Sequence, residues 1–223
     1  MRRVLLYISF TFCIAGCSHV EQWKEKYSST SDKTSIIPMQ LSAEQYVSWV
    51  DEEKNGLKVS KTIRDITYSI LYKPLPYEAL LRLSQERITD SSFSAELKNM
   101  DSLQYITLKI KSSKTTKELL KMELKSSDEY YSRIEYCSFH MQDDITLIEG
   151  EDTLACRLFH FERVYDIAPE AVFVMAFPMG RNRKSGTSNK IFSFDDRLFD
   201  NGKINLGILK SVFENIPQVK INN

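Results

Sequence analysis

The chain is poor in the residues that break regular structure and in the residue that most often performs acid–base catalysis. It contains 7 Gly, 6 Pro and 3 His among 223 residues. So few Gly and Pro residues exclude collagen-like and low-complexity proteins. Three histidines leave little material for a histidine-based active site. With 11% aromatic residues, the composition is that of an ordinary globular protein.

The chain also lacks an excess of charge of either sign. It has 30 basic and 30 acidic residues, and residues 1–16 contain only Arg2 and Arg3 among these, which leaves 28 basic against 30 acidic residues in the remainder. A general nucleic-acid binder needs a basic face to neutralise phosphates. We therefore expect no nucleic-acid partner, and no motif in the chain indicates a cofactor.

Long apolar runs are missing after the first seventeen residues. The longest later run, Ala171 to Phe177, has the length of a buried strand and is far shorter than a membrane-spanning helix. The one long run, Val4 to Ile14, follows the positive start Met1-Arg2-Arg3. This arrangement is typical of a signal peptide, whose apolar core is too short to span a bilayer.

The apolar run ends in Ile14-Ala15-Gly16-Cys17. An aliphatic residue, two small residues and a cysteine resemble the lipobox of bacterial lipoproteins. The resemblance implies cleavage between Gly16 and Cys17, a diacylglyceryl thioether on Cys17 and acylation of the new amino terminus by a fatty acid such as palmitate. Two or three acyl chains would hold the protein on a membrane. The alternative is an ordinary secretory signal peptide.

The residue after the cysteine bears on the location of the protein. In lipoproteins an Asp at this position tends to retain the protein in the inner membrane, and here the residue is Ser18. The resemblance therefore implies the outer membrane of the cell envelope, in a cell that has one. We expect contact with the membrane through the lipid, and an envelope protein or a glycan as partner. Orientation toward the periplasm or the outside stays open.

The chain is predicted to consist of three segments. Residues 1–16 form a lipoprotein signal peptide, residues 17–38 a lipidated tether that is rich in Ser, Thr and Lys, and residues 39–223 one globular domain.

The domain is predicted to be α+β, with a predominantly antiparallel sheet, a sandwich or a partial barrel, and several short helices in its N-terminal half. Capping-box pairs at Ser42/Gln45 and Ser126/Glu129 mark two helix starts. Other helices are predicted from Pro76 and over Ser92–Met100. Alternating apolar residues predict strands over Leu57–Tyr72 and Ile106–Ile110, and the continuous apolar run Ala171–Phe177 predicts a strand covered on both faces. Further strands are predicted over Ile145–Ile148, Leu154–Val164, Ile191–Phe199, Ile204–Ile208 and Val219–Ile221.

Two cysteines remain after Cys13 leaves with the signal peptide and Cys17 takes the lipid. In an oxidising compartment Cys137 and Cys156 are candidates for a disulfide, with two free thiols as the alternative. Together with His140 and His160 they also form a set of two cysteines and two histidines, which are the residue types that commonly bind zinc. Cys156 and His160 lie on one predicted strand about 13 Å apart, which is too far for a single ion. We therefore expect no metal.

Other functional patterns are weak. His140 or His160 could act as a base in a hydrolase or metal-dependent enzyme, but neither a nucleophile elbow nor a zinc-protease motif accompanies them. Seven aromatic residues fall on predicted neighbouring strands and indicate core packing or, alternatively, a cavity for a small apolar ligand; they are Phe159, Phe161, Tyr165, Phe173, Phe177, Phe192 and Phe194. We expect a non-enzymatic binding or structural module.

One basic stretch stands out in this balanced chain. The segment Gly180 to Lys190 contains no acid and carries four cationic residues, Arg181, Arg183, Lys184 and Lys190. It is either a solvated hairpin tip or a contact for an anionic partner.

Overall fold

The computed structural model describes residues 39–83, 88–100, 102–163, 165, 167–180 and 188–221. The predicted signal peptide and tether, with Gly16 and Cys17, lie outside these ranges. So do Arg181, Arg183 and Lys184 of the basic stretch.

The described residues form eleven strands and five α-helices. In chain order these are β1 Gln40–Ser42, α1 Ala43–Asp51, β2 Lys58–Ile63, β3 Ile66–Lys73, α2 Leu75–Arg82, α3 Asp90–Met100, β4 Leu103–Ser112, α4 Ser127–Glu135, β5 Ile145–Glu149, β6 Asp152–Ala155, β7 Leu158–Glu162, β8 Glu170–Pro178, β9 Lys190–Asp196, β10 Gly202–Ile208, α5 Lys210–Glu214 and β11 Gln218–Lys220. A π-helical turn, Tyr136–His140, and a 3-10 turn, Met141–Asp144, continue α4.

The architecture is a sandwich of two antiparallel sheets. One sheet has five strands in the order β2-β3-β4-β8-β7, and the other has four in the order β10-β9-β5-β6. A small parallel pair, β1 and β11, lies apart from both sheets. The predicted α+β class with predominantly antiparallel sheet is therefore confirmed, and β8 is a central strand as its continuous apolar sequence indicates.

The core lies between the two sheets. Along β3 every second residue is buried, beginning at Ile66, because alternate side chains of a strand point to opposite faces. The facing sheet contributes two fully buried rings, Phe192 and Phe194. Phe177 of the five-stranded sheet meets Phe192 edge to face with 6.5 Å between ring centroids, an arrangement that aromatic pairs favour.

The first helix begins as its sequence predicts. The Ser42 Oγ accepts a hydrogen bond from the Gln45 backbone N–H at 3.3 Å, and the Gln45 Oε1 accepts one from the Ser42 N–H at 3.1 Å. This reciprocal pair is a complete capping box. At α4 only half of the predicted box forms, since Ser126 caps the Glu129 N–H but the Glu129 carboxylate accepts from Lys125 instead.

None of the helices in the described ranges is both long and apolar enough to cross a bilayer.

Two predicted strands are each divided in the structure. The predicted strand Leu57–Tyr72 is a hairpin, in which β2 and β3 are joined through Arg64 and Asp65. Arg64 has a φ of 53°, which is the left-handed conformation. Gly and Asn adopt it most often, and neither stands at this turn. The apolar positions are odd-numbered up to Ile63 and even-numbered from Ile66, so the alternation changes phase at this turn, and the prediction of one continuous strand was wrong.

The second division sends the chain from one sheet to the other. The predicted strand Leu154–Val164 separates at Cys156 and Arg157 into β6 of the four-stranded sheet and β7 of the five-stranded sheet. The Arg157 N–H donates to the Ala176 carbonyl at 2.8 Å, which joins the crossing to β8. Period-two alternation says which face a residue takes and not which sheet the strand joins.

Candidate functional site

The structure holds Cys137 and Cys156 as free thiols, so the disulfide proposed from their number is not present in it. Cys137 is fully buried on the π-helical turn. Cys156 lies at the crossing between the sheets, where its Sγ donates to the Leu158 carbonyl at 3.0 Å. Burial raises the pKa of Cys137 to about 12 and that of Cys156 to about 11. Both thiols are therefore poor nucleophiles.

The four residues of the zinc hypothesis do not form a site. His140 is exposed on the π-helical turn, and His160 is exposed on the outward face of the edge strand β7. Within the described ranges no three His, Cys, Asp or Glu side chains lie close enough together to hold a metal ion. Zinc ligands must be of the correct residue types and must also converge on one point. Here Cys137 lies in the core, His140 and His160 lie exposed on different elements, and Cys156 lies at the crossing between the sheets.

Lys190 is not an exposed anion contact, which corrects the interpretation of the basic stretch. Its side chain is 5% exposed and its Nζ lies 2.5 Å from the Glu149 carboxylate. The Gln104 Nε2 and the Gly180 N–H also donate to the same carboxylate, at 2.9 Å and 3.2 Å. These groups make an inter-sheet ion-pair network that closes one end of the sandwich.

Within this network the charges of Lys190 and Glu149 balance each other. Burial lowers the pKa of Lys190, and its pairing with Glu149 opposes that effect only in part. Burial alone raises the pKa of Glu149, but its hydrogen bonds from Lys190 and Gln104 outweigh burial and hold the pKa below its ordinary value. The ammonium also lies 5.7 Å above the Tyr72 ring and 5.3 Å from the Phe213 ring. These contacts indicate a structural role for Lys190.

The aromatic cluster is core packing. Phe161 stacks on Phe173 with 5.0 Å between ring centroids, and Phe173 is fully buried. Tyr165 departs from the prediction because 64% of its surface is exposed and the Arg163 guanidinium lies 4.5 Å above its ring. Phe177, Phe192 and Phe194 are likewise fully buried.

Asp196 closes the opposite end of the sandwich. Its carboxylate accepts hydrogen bonds from the Leu198 and Phe199 backbone N–H groups at 3.0 Å and 3.1 Å, and from the Tyr68 hydroxyl of the other sheet at 2.5 Å. Asp195, Asp196 and Asp200 carry carboxylates of the kind that bind calcium, but their spacing matches no EF-hand loop. Asp196 is instead 2% exposed and occupied by turn N–H donors, which is the usual role of a turn aspartate.

A polar groove crosses the outward face of the five-stranded sheet. It has a volume of about 570 Å³ and runs from Asp51 and Lys58 at one end to Glu162 at the other; we call it the outer-sheet groove. Leu71, Thr107 and Val174 lie side by side in its floor because β3, β4 and β8 pair in that register. The groove thus has an apolar floor with a hydroxyl at its centre.

Ion pairs within the protein neutralise the lysines of the groove. Lys58 pairs with Glu53 at 3.1 Å, Lys73 with Glu78 at 3.0 Å and Lys109 with Glu170 at 3.0 Å. Asp51 accepts a hydrogen bond from the Tyr77 hydroxyl at 2.8 Å. In the part of the chain that the structure describes, Asp51 and Glu162 have no cationic partner. The walls therefore offer both donors and acceptors with a small negative excess.

Thr107 is the unusual residue of the groove. It is 7% exposed, and its Oγ1 has no hydrogen-bond partner among the described residues. Its neighbours Ile106 and Leu108 point into the core, so strand alternation directs Thr107 outward into the groove. The only sign in the sequence is a β-branched polar residue in an apolar strand, which is common on any sheet and could not have identified the site.

A second concavity, of about 820 Å³, lies beside α1, α2 and β11 and is lined mainly by Val47, Leu80, Leu83, Ile88 and Ile221. Its polar lining includes Ser42, whose side chain is engaged in capping α1. Polar groups that converge on a point are what give a ligand site its specificity. The outer-sheet groove, although smaller, has them and is the better candidate site.

Comparison of the chain with models of protein families, with curated proteins and with solved structures gives no match.

Proposed function

We propose that this chain is a bacterial lipoprotein of the cell envelope, in the outer membrane where the cell has one. Cys17 carries the lipid, becomes the first residue of the mature protein on cleavage after Gly16, and holds the protein on the membrane. Residues 18–38 act as a tether, and the β-sandwich domain is a non-enzymatic binding module that uses the outer-sheet groove.

The observation that carries the anchor is the order of segments in the sequence. A positive start, an apolar run and Ile14-Ala15-Gly16-Cys17 come directly before a polar segment. A cysteine at that point is placed for lipidation at the membrane surface, and two or more acyl chains give stable anchoring without a transmembrane helix.

The binding role is supported by the groove. It is concave and has an apolar floor with charged walls, which are the general properties of small-molecule sites. The inter-sheet ion-pair network and the Asp196 turn are occupied by internal contacts and so serve the fold.

The anchor is tested by metabolic labelling with a radioactive fatty acid in a bacterial host that expresses the full chain. Wild-type protein should carry the label in the membrane fraction, whereas Cys17→Ser should accumulate as an unlabelled precursor. Cys13→Ser is the matched control, because it changes a cysteine of the signal peptide and should keep the label. Labelled Cys17→Ser protein, or an unlabelled wild-type protein in the aqueous fraction, would refute the anchor.

A further inference from the structure

We infer that the outer-sheet groove binds a neutral saccharide of one or two sugar rings. The inference rests on the binding role proposed for the domain and names its class of ligand, but it does not depend on the lipid anchor. The groove volume of about 570 Å³ falls in the usual range for sites that enclose a small molecule.

The floor of the groove suits the mixed surface of a sugar ring. Leu71, Thr107 and Val174 occupy successive strands in register, so they extend over about 10 Å. Val172 lies in the neighbouring row, opposite Lys109. Apolar side chains on either side of a hydroxyl can contact the C–H face of a sugar, while the hydroxyl pairs with one at its edge.

Thr107 points to a ligand that carries hydroxyl groups. A buried hydroxyl without a partner is costly and rare in folded proteins. The Thr107 Oγ1 is such a group and is itself closed to solvent. Its side chain lies on the groove side of the sheet rather than in the core, so a ligand reaches the oxygen when the side chains that cover it move aside. A ligand hydroxyl can both donate to and accept from this oxygen, so binding would satisfy it.

The walls select against an anionic ligand. Ammonium groups only donate hydrogen bonds and carboxylates only accept them. Lys58, Lys73 and Lys109 are already paired with acids, and Asp51 and Glu162 add negative charge, so an anion would be repelled. Sugar hydroxyls accept from the lysines and donate to the carboxylates without adding charge, and such hydrogen bonds to charged groups are strong.

The test uses the protein that is produced by expression of the full chain, purified in a zwitterionic detergent because the head group of a sugar-based detergent would compete for the groove. The probes are glucose, maltose and N,N′-diacetylchitobiose, with glucuronate as an anionic probe and the dipeptide Ala-Ala as a zwitterionic one. Saturation-transfer NMR detects binding, and titration gives the dissociation constants. At least one neutral saccharide should bind, and more tightly than glucuronate and Ala-Ala.

The variants separate binding from folding. Thr107→Val should weaken saccharide binding about tenfold, because one hydrogen bond to the ligand is lost. Its melting temperature should equal or exceed that of the wild type, since a buried hydroxyl without a partner is replaced by a methyl group. Thr107→Ser, which keeps the hydroxyl, should retain most of the affinity. Thr67→Val is the matched control, because Thr67 lies on the same face but outside the groove and pairs with Thr62 at 2.9 Å.

Three results would overturn the inference. The first is that no neutral saccharide binds at about 10 mM, a concentration at which millimolar recognition would be detected. The others are equal affinity in wild type and Thr107→Val, and tighter binding of Ala-Ala or glucuronate than of every neutral saccharide. A dipeptide result would leave the binding role in place and replace the ligand class. Loss of the anchor would appear only in the fatty-acid labelling of Cys17, so the two failures are distinguishable.

Discussion

The ammonium group of Lys190 lies 2.5 Å from Glu149 where the two side chains are only 5% and 10% exposed. Removing one member of a buried ion pair leaves the other charge buried without a partner, and this strongly destabilises the folded state. Lys210 and Glu214 form a pair of the same chemistry at 3.3 Å with about half of each side chain exposed, and surface pairs of this kind contribute little.

Lys190→Met should therefore lower the free energy of unfolding by about 3 kcal/mol, because Glu149 stays buried without its counter-ion. Lys210→Met should change it by less than about 0.5 kcal/mol. Urea unfolding of both variants measures the difference. Equal effects of the two substitutions would contradict the closed network at Lys190.

Glu149 should make stability depend on pH. A carboxyl group whose pKa is lower in the folded state contributes stability that is complete above its unfolded pKa of about 4.3 and is lost as the pH falls through the folded value. The difference in unfolding free energy between wild type and Glu149→Gln should be largest above about pH 5 and shrink as the pH falls below about 4. Urea unfolding at stepped pH measures it, with the exposed hairpin residue Glu151 changed to Gln as the control. A difference that is constant with pH would contradict the prediction.

Cys137 and Cys156 should both be available as thiols once the protein unfolds. Burial raises the pKa of each, so alkylation of the native protein should be slow, because the thiolate is the reactive form. Alkylation in denaturant without reductant should label both residues, as mass spectrometry can show. A peptide pair that stays unlabelled and is lighter by two hydrogens would instead establish the disulfide that their number suggested.

Among the elements, the β9–β10 hairpin is the one whose turn also joins the two sheets. The sequence Asp200-Asn201-Gly202 predicts a hairpin here, and the structure confirms it, with β9 ending at Asp196 and β10 beginning at Gly202. The turn is longer than the Asn-Gly signal indicates. The Asp196 carboxylate accepts hydrogen bonds from backbone N–H groups of the turn and from the Tyr68 hydroxyl, and these bonds hold the longer turn in place.

Asp196→Ala should therefore lower the free energy of unfolding by about 3 kcal/mol, because it leaves several buried donors without an acceptor. Asp195→Ala changes the exposed neighbour on the same strand and should stay within about 0.5 kcal/mol of the wild type. Thermal and urea unfolding compare the two. A loss of similar size for both variants would mean that local charge, rather than the turn, is responsible.

The molecule as a whole is proposed to consist of an anchor, a tether and a folded binding domain. If residues 18–38 are a tether, trypsin should cleave membrane-bound protein first at Lys24, Lys26 or Lys33 and release the domain into the aqueous phase. Sequencing the amino terminus of the released fragment identifies the cut. A domain that stays with the membrane after these cuts would show a second membrane contact and would contradict the proposed arrangement.

Most of the fold class follows from local rules. Alternation of apolar residues located β3 and β4, a continuous apolar run located β8, and the Ser42/Gln45 pair located the start of α1. All three signals depend only on neighbours a few residues away. The boundary error at Cys156-Arg157 has a tertiary cause. Period-two patterning sets the face of a side chain, while the end of a strand and its choice of sheet depend on partners distant in the sequence.

By itself the sequence determined the α+β class, the helix starts and the lipobox-like motif at Cys17, because propensity, capping and motif spacing are short-range properties. Only the tertiary structure decided that Lys190 is buried against Glu149, 41 positions away, that the two cysteines are separate thiols, and that Thr107 faces a groove without a partner. Burial and pairing arise when two sheets close on each other, and no local pattern records which side chains then meet.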